Sequence, residues 1–370
     1  MSLSGIRNIY LLGDLHLGVR NNSIEWFEIQ KSFILDWFIP KILEDGFDPD
    51  QDILFQAGDW NHVRESTNVR ISNGSLEIFK ILSDTFKRGI HIILGNHDVY
   101  YKDRNDIHSL KEISSIFNNI NIYEQPEAIK INSHNILMLP WEHDADILSK
   151  TVESYANSCD YILCHADIKD FKLNKWAKIE HGLELSKLSS YKRIYSGHIH
   201  TRQEHKNVLY IGTPYHLDRG DVDNIKGFYK LNLEGENIKE YFYENTYSPR
   251  YIKYDINSII NLNIKEIRSI FNNNFVDISI SNDLAKTFPL TKFLDLVKDG
   301  HRSIEFRPYS DTEEINIEKI SSTGTYDYNI YEVLSDYIDM REIPKTLSNK
   351  IINKFKEIHT ELKNNQKYYE

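Results

Sequence analysis

Five short blocks carry side chains able to hold metal ions: Asp14-Leu15-His16, Gly58-Asp59, Gly95-Asn96-His97-Asp98, His165, and Gly197-His198-Ile199-His200. In Asp-x-His and His-x-His the two polar residues are separated by one other, so in extended backbone both project to one side. A strand end can present two ligands to one ion in this way. Carboxylates, an amide and several imidazoles suit hard to borderline divalent cations such as Mn²⁺, Mg²⁺, Fe²⁺ or Zn²⁺, and not a thiolate-loving metal. Each block has an ordinary alternative: Asp14 could cap a helix, Gly58-Asp59 could be a plain turn, and His165 after Tyr161-Ile162-Leu163-Cys164 could be a core histidine. Their conjunction, in order and each after an expected strand, favours one shared site.

The elements that must position these blocks are legible as apolar runs. Strands are expected over residues 6–12, 52–57 and 90–94, with helices over 24–43 (stopping near Pro40) and 76–86. Strand, helix, strand, helix, strand is the pattern of an α/β sheet. A second sheet is expected from 135–140, 160–164, 193–195, 208–211 and 227–233, with a helix at 145–156. Two such sheets face to face with helices outside would make a four-layer αββα sandwich. After a boundary near 245–249, strands at 251–256, 275–281 and 302–307 alternate with helices at 257–271 and 290–297, a small α/β domain of its own. Leu347, Ile351, Phe355, Ile358 and Leu362 then form one apolar stripe of a helical tail. The expected division is 1–245, 246–343 and 344–370.

The 370 residues, 40% hydrophobic and 12% aromatic, belong to a globular chain with a substantial core. No apolar run approaches the ~18 residues of a membrane span, and residues 1–7 lack a signal-peptide core, so a cytoplasmic location is expected. Cys159 and Cys164 are expected on one strand, facing opposite ways, as buried reduced thiols. A net charge of −11 argues against coating nucleic acid unaided. It leaves room for a nuclease, because bound cations invert the local field of a carboxylate-rich site. From Lys345 onward six lysines face three glutamates, a net +3 that leaves −14 for the rest.

The five blocks together resemble the calcineurin-like metallophosphoesterase superfamily, whose pattern runs D-x-H, G-D, G-N-H-[DE], H, G-H-x-H. Within it the chain is similar to SbcD-type DNA repair nucleases, in particular the recombination endonuclease subunits of tailed phages. The supporting text is Asp14 to Arg20, Gly95-Asn96-His97-Asp98 followed by Val99-Tyr100-Tyr101, Ser196 to His200, Gly212-Thr213-Pro214-Tyr215, and Lys226-Gly227-Phe228-Tyr229. The likeness covers roughly residues 6–243. It implies the αββα metallophosphoesterase fold, a capping domain that places DNA, and two divalent ions, Mn²⁺ foremost. Asp14, His16, Asp59 and His200 would hold one ion; Asp59, Asn96, His165 and His198 the other. His97 would serve the leaving oxygen, oriented by Asp98. It further implies an SbcC-type coiled-coil ATPase partner docking the tail helix, a homodimer formed through residues 27–37 or 106–117, and the host cytoplasm for a phage-encoded protein. The chain departs from the family where its second block reads Gly58-Asp59-Trp60-Asn61-His62, with His62 in place of a frequent acid. His62 reads as structural, with substrate contact as the alternative. A phosphomonoesterase or cyclic-nucleotide phosphodiesterase is the competing enzyme. Against it stand the missing Asp-Arg-Gly continuation of the second block and the Asp, not Glu, that ends the third. A scaffold that has lost catalysis is the competing non-enzyme, although no ligand type is missing.

Overall fold

The computed structural model describes residues 2–309 apart from 65, 67, 174–176 and 298–299, together with positions 350 and 354. The chain divides into two compact units, 1–309 and 310–370. Of the second, only the two isolated positions are described, so the tail helix expected at 344–370 lies outside the described residues, as does all of 310–343.

Unit 1 is a mixed α/β structure with three sheets among its described residues. The first has six strands in the order Lys239–Glu244, Gly227–Asn232, Asn8–Leu12, Asp52–Gln56, Ile90–Ile93 and Ile120–Tyr123. Its last four are mutually parallel, so the chain leaves Leu12, Gln56 and Ile93 at one edge. The second has seven strands, with Tyr161–His165 parallel to Arg193–Gly197 at its centre. The blocks it carries, His165 and Gly197-His198-Ile199-His200, therefore also leave from one edge. Open α/β sheets bind ligands at such carboxyl edges.

Alternation along the strands sorts the core. Tyr10, Leu12, Leu54, Ile90 and Ile92 pack against helices, through Phe27, Phe33, Phe38, Phe79 and Leu82. Their neighbours Ile9, Leu11, Ile53, Phe55 and Ile93 turn the other way and meet Ile136, Met138, Leu163, Tyr195 and Leu209 of the second sheet. The remaining face of that second sheet (Leu137, Ile162, Ile194, Tyr210) is covered by Leu148 and Val152 of helix Ala145–Tyr155. Strands buried on both faces read as unbroken apolar runs, which is why they stood out in the sequence.

Four expectations need correction. Residues 227–233 join the first sheet, antiparallel to Asn8–Leu12, because an apolar run does not encode its partner. The helix from Ile24 does not stop at Pro40. It passes through a π-helical stretch, Phe33–Phe38, in which Ile39 N–H bonds back to the Ile34 carbonyl, and continues to Glu44. That shift of bonding pattern lets the chain absorb a residue with no N–H to give. The helix expected from 76 begins at Val69, capped by the Asn68 side chain. Cys159 precedes the strand that holds Cys164, and both pack into the same core as free thiols. The C-terminal part forms a separate three-stranded parallel sheet, Tyr251–Asp255, Phe275–Ser281 and Ser303–Tyr309, over its own core of Ile256, Ile267, Phe271, Ile278 and Phe293.

Candidate metal centre

All seven residues expected to hold ions converge at the two strand edges. Asp14 and His16 follow strand Asn8–Leu12, and their turn is held from three sides. Buried Gln30 donates to the Leu15 and His16 carbonyls at 2.8 Å each. The amides of Leu15 and His16 both donate to the Asp59 carbonyl, and the Tyr215 hydroxyl donates to Leu15 O at 2.5 Å. The second turn is built by Gln56, whose amide nitrogen donates to Gly58 O at 2.6 Å while its oxygen accepts from Gly58 N at 3.1 Å. Gly58 has φ +90°, and a Cβ there would lie 2.5 Å from His165 Nδ1. Only glycine fits. His16, Asp59 and His198 themselves adopt left-handed backbone (φ 49°, 55° and 81°), a costly conformation for such residues that concentrates at functional sites.

The side chains form a chain of short contacts. His16 Nε2 lies 2.9 Å from His200 Nε2 and 3.6 Å from Asp59 Oδ2. The same Asp59 oxygen lies 3.4 Å from His165 Nε2. Asn96 Oδ1 sits 3.0 Å from His165 Nε2 and 2.9 Å from His198 Nδ1. Asp14 approaches His165 Nδ1 at 4.0 Å and accepts from the His198 amide at 3.0 Å. Asp14, His16 and His200 could hold one ion, and so could Asp14, Asp59 and His165.

Electrostatics agree with a site made for cations. Burial pushes the Asp14 carboxyl up to about 8, and Asp98 up to about 7. Burial lowers His200 to about 4 and takes His16 well down, leaving neutral imidazoles able to ligate. For His165 burial works the same way, yet Asp59 and Asp14 outweigh it and raise the ring to about 9. Burial likewise opposes ionisation of Asp59, but His165 and His16 hold it well below the carboxylate range. His16 and His200 are thus neutral ligand candidates beside buried carboxylates, while the charge on His165 fills a place that a divalent cation would take by displacing its proton.

The His97-Asp98 pair differs from expectation. Asp98 does not reach the His97 ring. Its two oxygens accept from Asn61 N (3.1 Å) and Gly95 N (3.0 Å), clamping the second and third turns together. The His97 ring is held instead by the His62 carbonyl, 2.7 Å from Nδ1, and stacks on the His62 ring at 5.0 Å. The His97 amide donates to Asp59 Oδ1 at 2.7 Å. His62 also places Nδ1 3.3 Å from His16 Nδ1, so the departure at the second block falls inside the site.

Over 322 residues the chain is 30% identical to exonuclease subunit 1 of Enterobacteria phage T4, a match covering 84% of this chain and 89% of that protein. It belongs to the exonuclease subunit 1 family. No family model matches it.

Three supporting residues of this family member carried no sequence signal as site residues. Trp141 packs its ring on His198 (5.0 Å between centroids) and His165 (6.0 Å), and its amide donates to Leu94 O beside the Asn96 turn. Asp167 Oδ1 lies 3.1 Å from His198 Nε2 and orients that ring. Lys226, 3% exposed, donates to His200 O at 2.7 Å and Thr213 Oγ1 at 2.9 Å, and pairs with equally buried Asp221. Among the described residues no helix is long and apolar enough to cross a membrane.

Proposed function

We propose that the chain is a metal-dependent DNA phosphodiesterase, the nuclease subunit of a recombination and repair complex of the SbcCD kind. One observation carries this reading: a single carboxylate, Asp59, lies between two imidazole-rich sets, 3.6 Å from His16 and 3.4 Å from His165. The name exonuclease subunit 1 borne by the T4 relative points to the same activity. Asp14, His16, Asp59 and His200 would hold one divalent ion and Asp59, Asn96, His165 and His198 the other, with Mn²⁺ the first candidate. Bound there, such ions supply Lewis acidity toward phosphate oxygens and lower the pKa of a coordinated water.

The remaining work falls to protein groups. Asp59 fixes both ligand sets relative to the His97 backbone through its bond from the His97 amide. With Nδ1–H of His97 given to the His62 carbonyl, Nε2 is the ring atom free to pass a proton to the leaving 3′-oxygen. Asp98 holds the turn and not the ring. His62, stacked on His97, keeps that ring edge-on to His16.

The three stacked cores support the four-layer αββα metallophosphoesterase sandwich, and residues 246–343 are read as the domain that places DNA over the site. A cytoplasmic enzyme of this kind would share the work with a coiled-coil ATPase through the tail 344–370. For a homodimer the segment 106–117 is the better surface: Ile107 and Ile116 are exposed, whereas Phe27 and Phe33 are buried. The test is digestion of end-labelled duplex and hairpin DNA with Mn²⁺, against a phosphomonoester as control. Cleavage of the DNA and not the monoester is expected. Preference for the monoester would favour the competing phosphatase.

A further inference from the structure

The turn that carries His97 runs directly into a loop, residues 100–107, whose make-up the metal chemistry does not explain. Its neck is closed by Tyr100 N–H to the Ile107 carbonyl (3.0 Å) and Ser109 N–H to the Asp98 carbonyl (2.8 Å). Asn105 ties it to the site wall, donating to Glu124 O at 3.2 Å and Trp141 O at 3.0 Å. The loop is thus rooted both on Asp98 and on the residue whose ring packs against His165 and His198.

On this fixed base the loop holds large aromatic rings out in water. Tyr100 is 50% exposed and Tyr101 39%, meeting edge to face at 4.9 Å. The Arg104 guanidinium lies 4.2 Å from the Tyr101 ring centre, and its other contact is Asp106 at 3.2 Å. Behind the loop a cavity of about 230 Å³ is lined by Lys102, Asp103, Arg104, Asn105, Trp141 and Glu142 among others. Ordered, exposed tyrosines cost apolar surface in water unless something covers them. Stacked rings beside cations are how proteins grip unpaired bases, each stacked base worth roughly tenfold or more in affinity. The carboxylates nearby cancel the cations overall, so the site offers ring faces and local phosphate contacts and no general pull on duplex DNA.

We propose that the loop 100–107 is a stacking platform for an unpaired nucleotide of the substrate strand, with the base on Tyr100 and Tyr101 and the neighbouring phosphate at Lys102. The inference rests on the nuclease reading above and narrows its substrate to DNA with a frayed or single-stranded end. Such a platform would deliver an end strand to the turn three residues upstream.

The experiment compares the full chain with Tyr100→Ala/Tyr101→Ala and with Tyr101→Phe, Ca²⁺ replacing Mn²⁺ to suspend cleavage. Affinity is read by fluorescence anisotropy for a duplex with a short unpaired end and for the same duplex blunt-ended. The double alanine variant should lose about tenfold for the tailed DNA, as stacking of this strength implies, and less than about twofold for the blunt one. Tyr101→Phe, which keeps the ring, should bind as wild type, and matching melting temperatures show that the variants fold. Equal losses for both DNAs, or none for either, overturn the proposal. So does a double variant that turns a dimer into a monomer, which would make the loop a self-association surface. Wild type that cleaves DNA while the variants bind normally removes only this inference; wild type that cleaves no DNA removes the nuclease reading itself.

Discussion

Lys226→Met should be among the most damaging single changes that replace no candidate metal ligand. The ammonium and Asp221 are both 3% exposed, and burial lowers the lysine pKa while the pair holds the aspartate below its ordinary value despite burial. Removing one member of a buried pair strands the other charge, at a cost of about 3–5 kcal/mol. Local bonding puts the expectation at the low end. Asp221 still accepts from the Leu217 and Asp218 amides (2.8 and 3.3 Å), and the His200 carbonyl still accepts from Thr213 N (3.1 Å). A loss of about 3 kcal/mol is expected in urea unfolding at neutral pH with chelator present, so that ion binding does not contribute. Adding Asp221→Asn, which removes the stranded charge and keeps an acceptor, should recover about 1–2 kcal/mol of it. A loss below about 1 kcal/mol, or an Asn substitution that makes matters worse, would refute the reasoning.

The candidate ligands are readable because each sits at a break in an apolar run, with glycine where backbones approach closely, and both signals are local. What failed was non-local. Residues 227–233 have the right composition for a strand, but only three-dimensional packing decides that they pair with Asn8–Leu12. The resemblance implies that Asp98 orients His97, yet a turn sends neighbouring side chains apart, and Asp98 reaches Asn61 instead. Lys226 stands in a block of the resemblance that implies no role for it, and Trp141 looks like any tryptophan in sequence. Their importance comes from burial against His200 and His198, which spacing does not reveal. For His62 sequence favours a structural role over substrate contact; its stacking on His97 puts it within the candidate site.

Three further outcomes are expected. His97→Ala should keep ion binding, measured by calorimetry, while DNA turnover falls by about 10²–10⁴; loss of both together would remove its assigned role. Asp98→Ala should leave two buried amides without acceptors and cost about 2–4 kcal/mol in chemical denaturation, and a change near zero would contradict the clamp. His91, buried with Nε2 unpartnered and Nδ1 2.8 Å from the Tyr123 hydroxyl, is lowered by burial to about 4. The unfolded chain therefore takes up its proton near 6.5 and the folded chain does not. Stability should fall by up to roughly 3 kcal/mol as pH drops from 6.5 to 4, and stay level in this respect above 6.5. His91→Leu should flatten that slope in melts across the range, and an unchanged slope would assign it to other groups.

The proposed role of Asp59 as the one carboxylate shared by two ion sites is tested most directly by Mn²⁺ binding in equilibrium dialysis. The wild-type chain should bind two ions, and Asp59→Asn should weaken both together. One ion per wild-type chain, or two ions bound normally by Asp59→Asn, would contradict it.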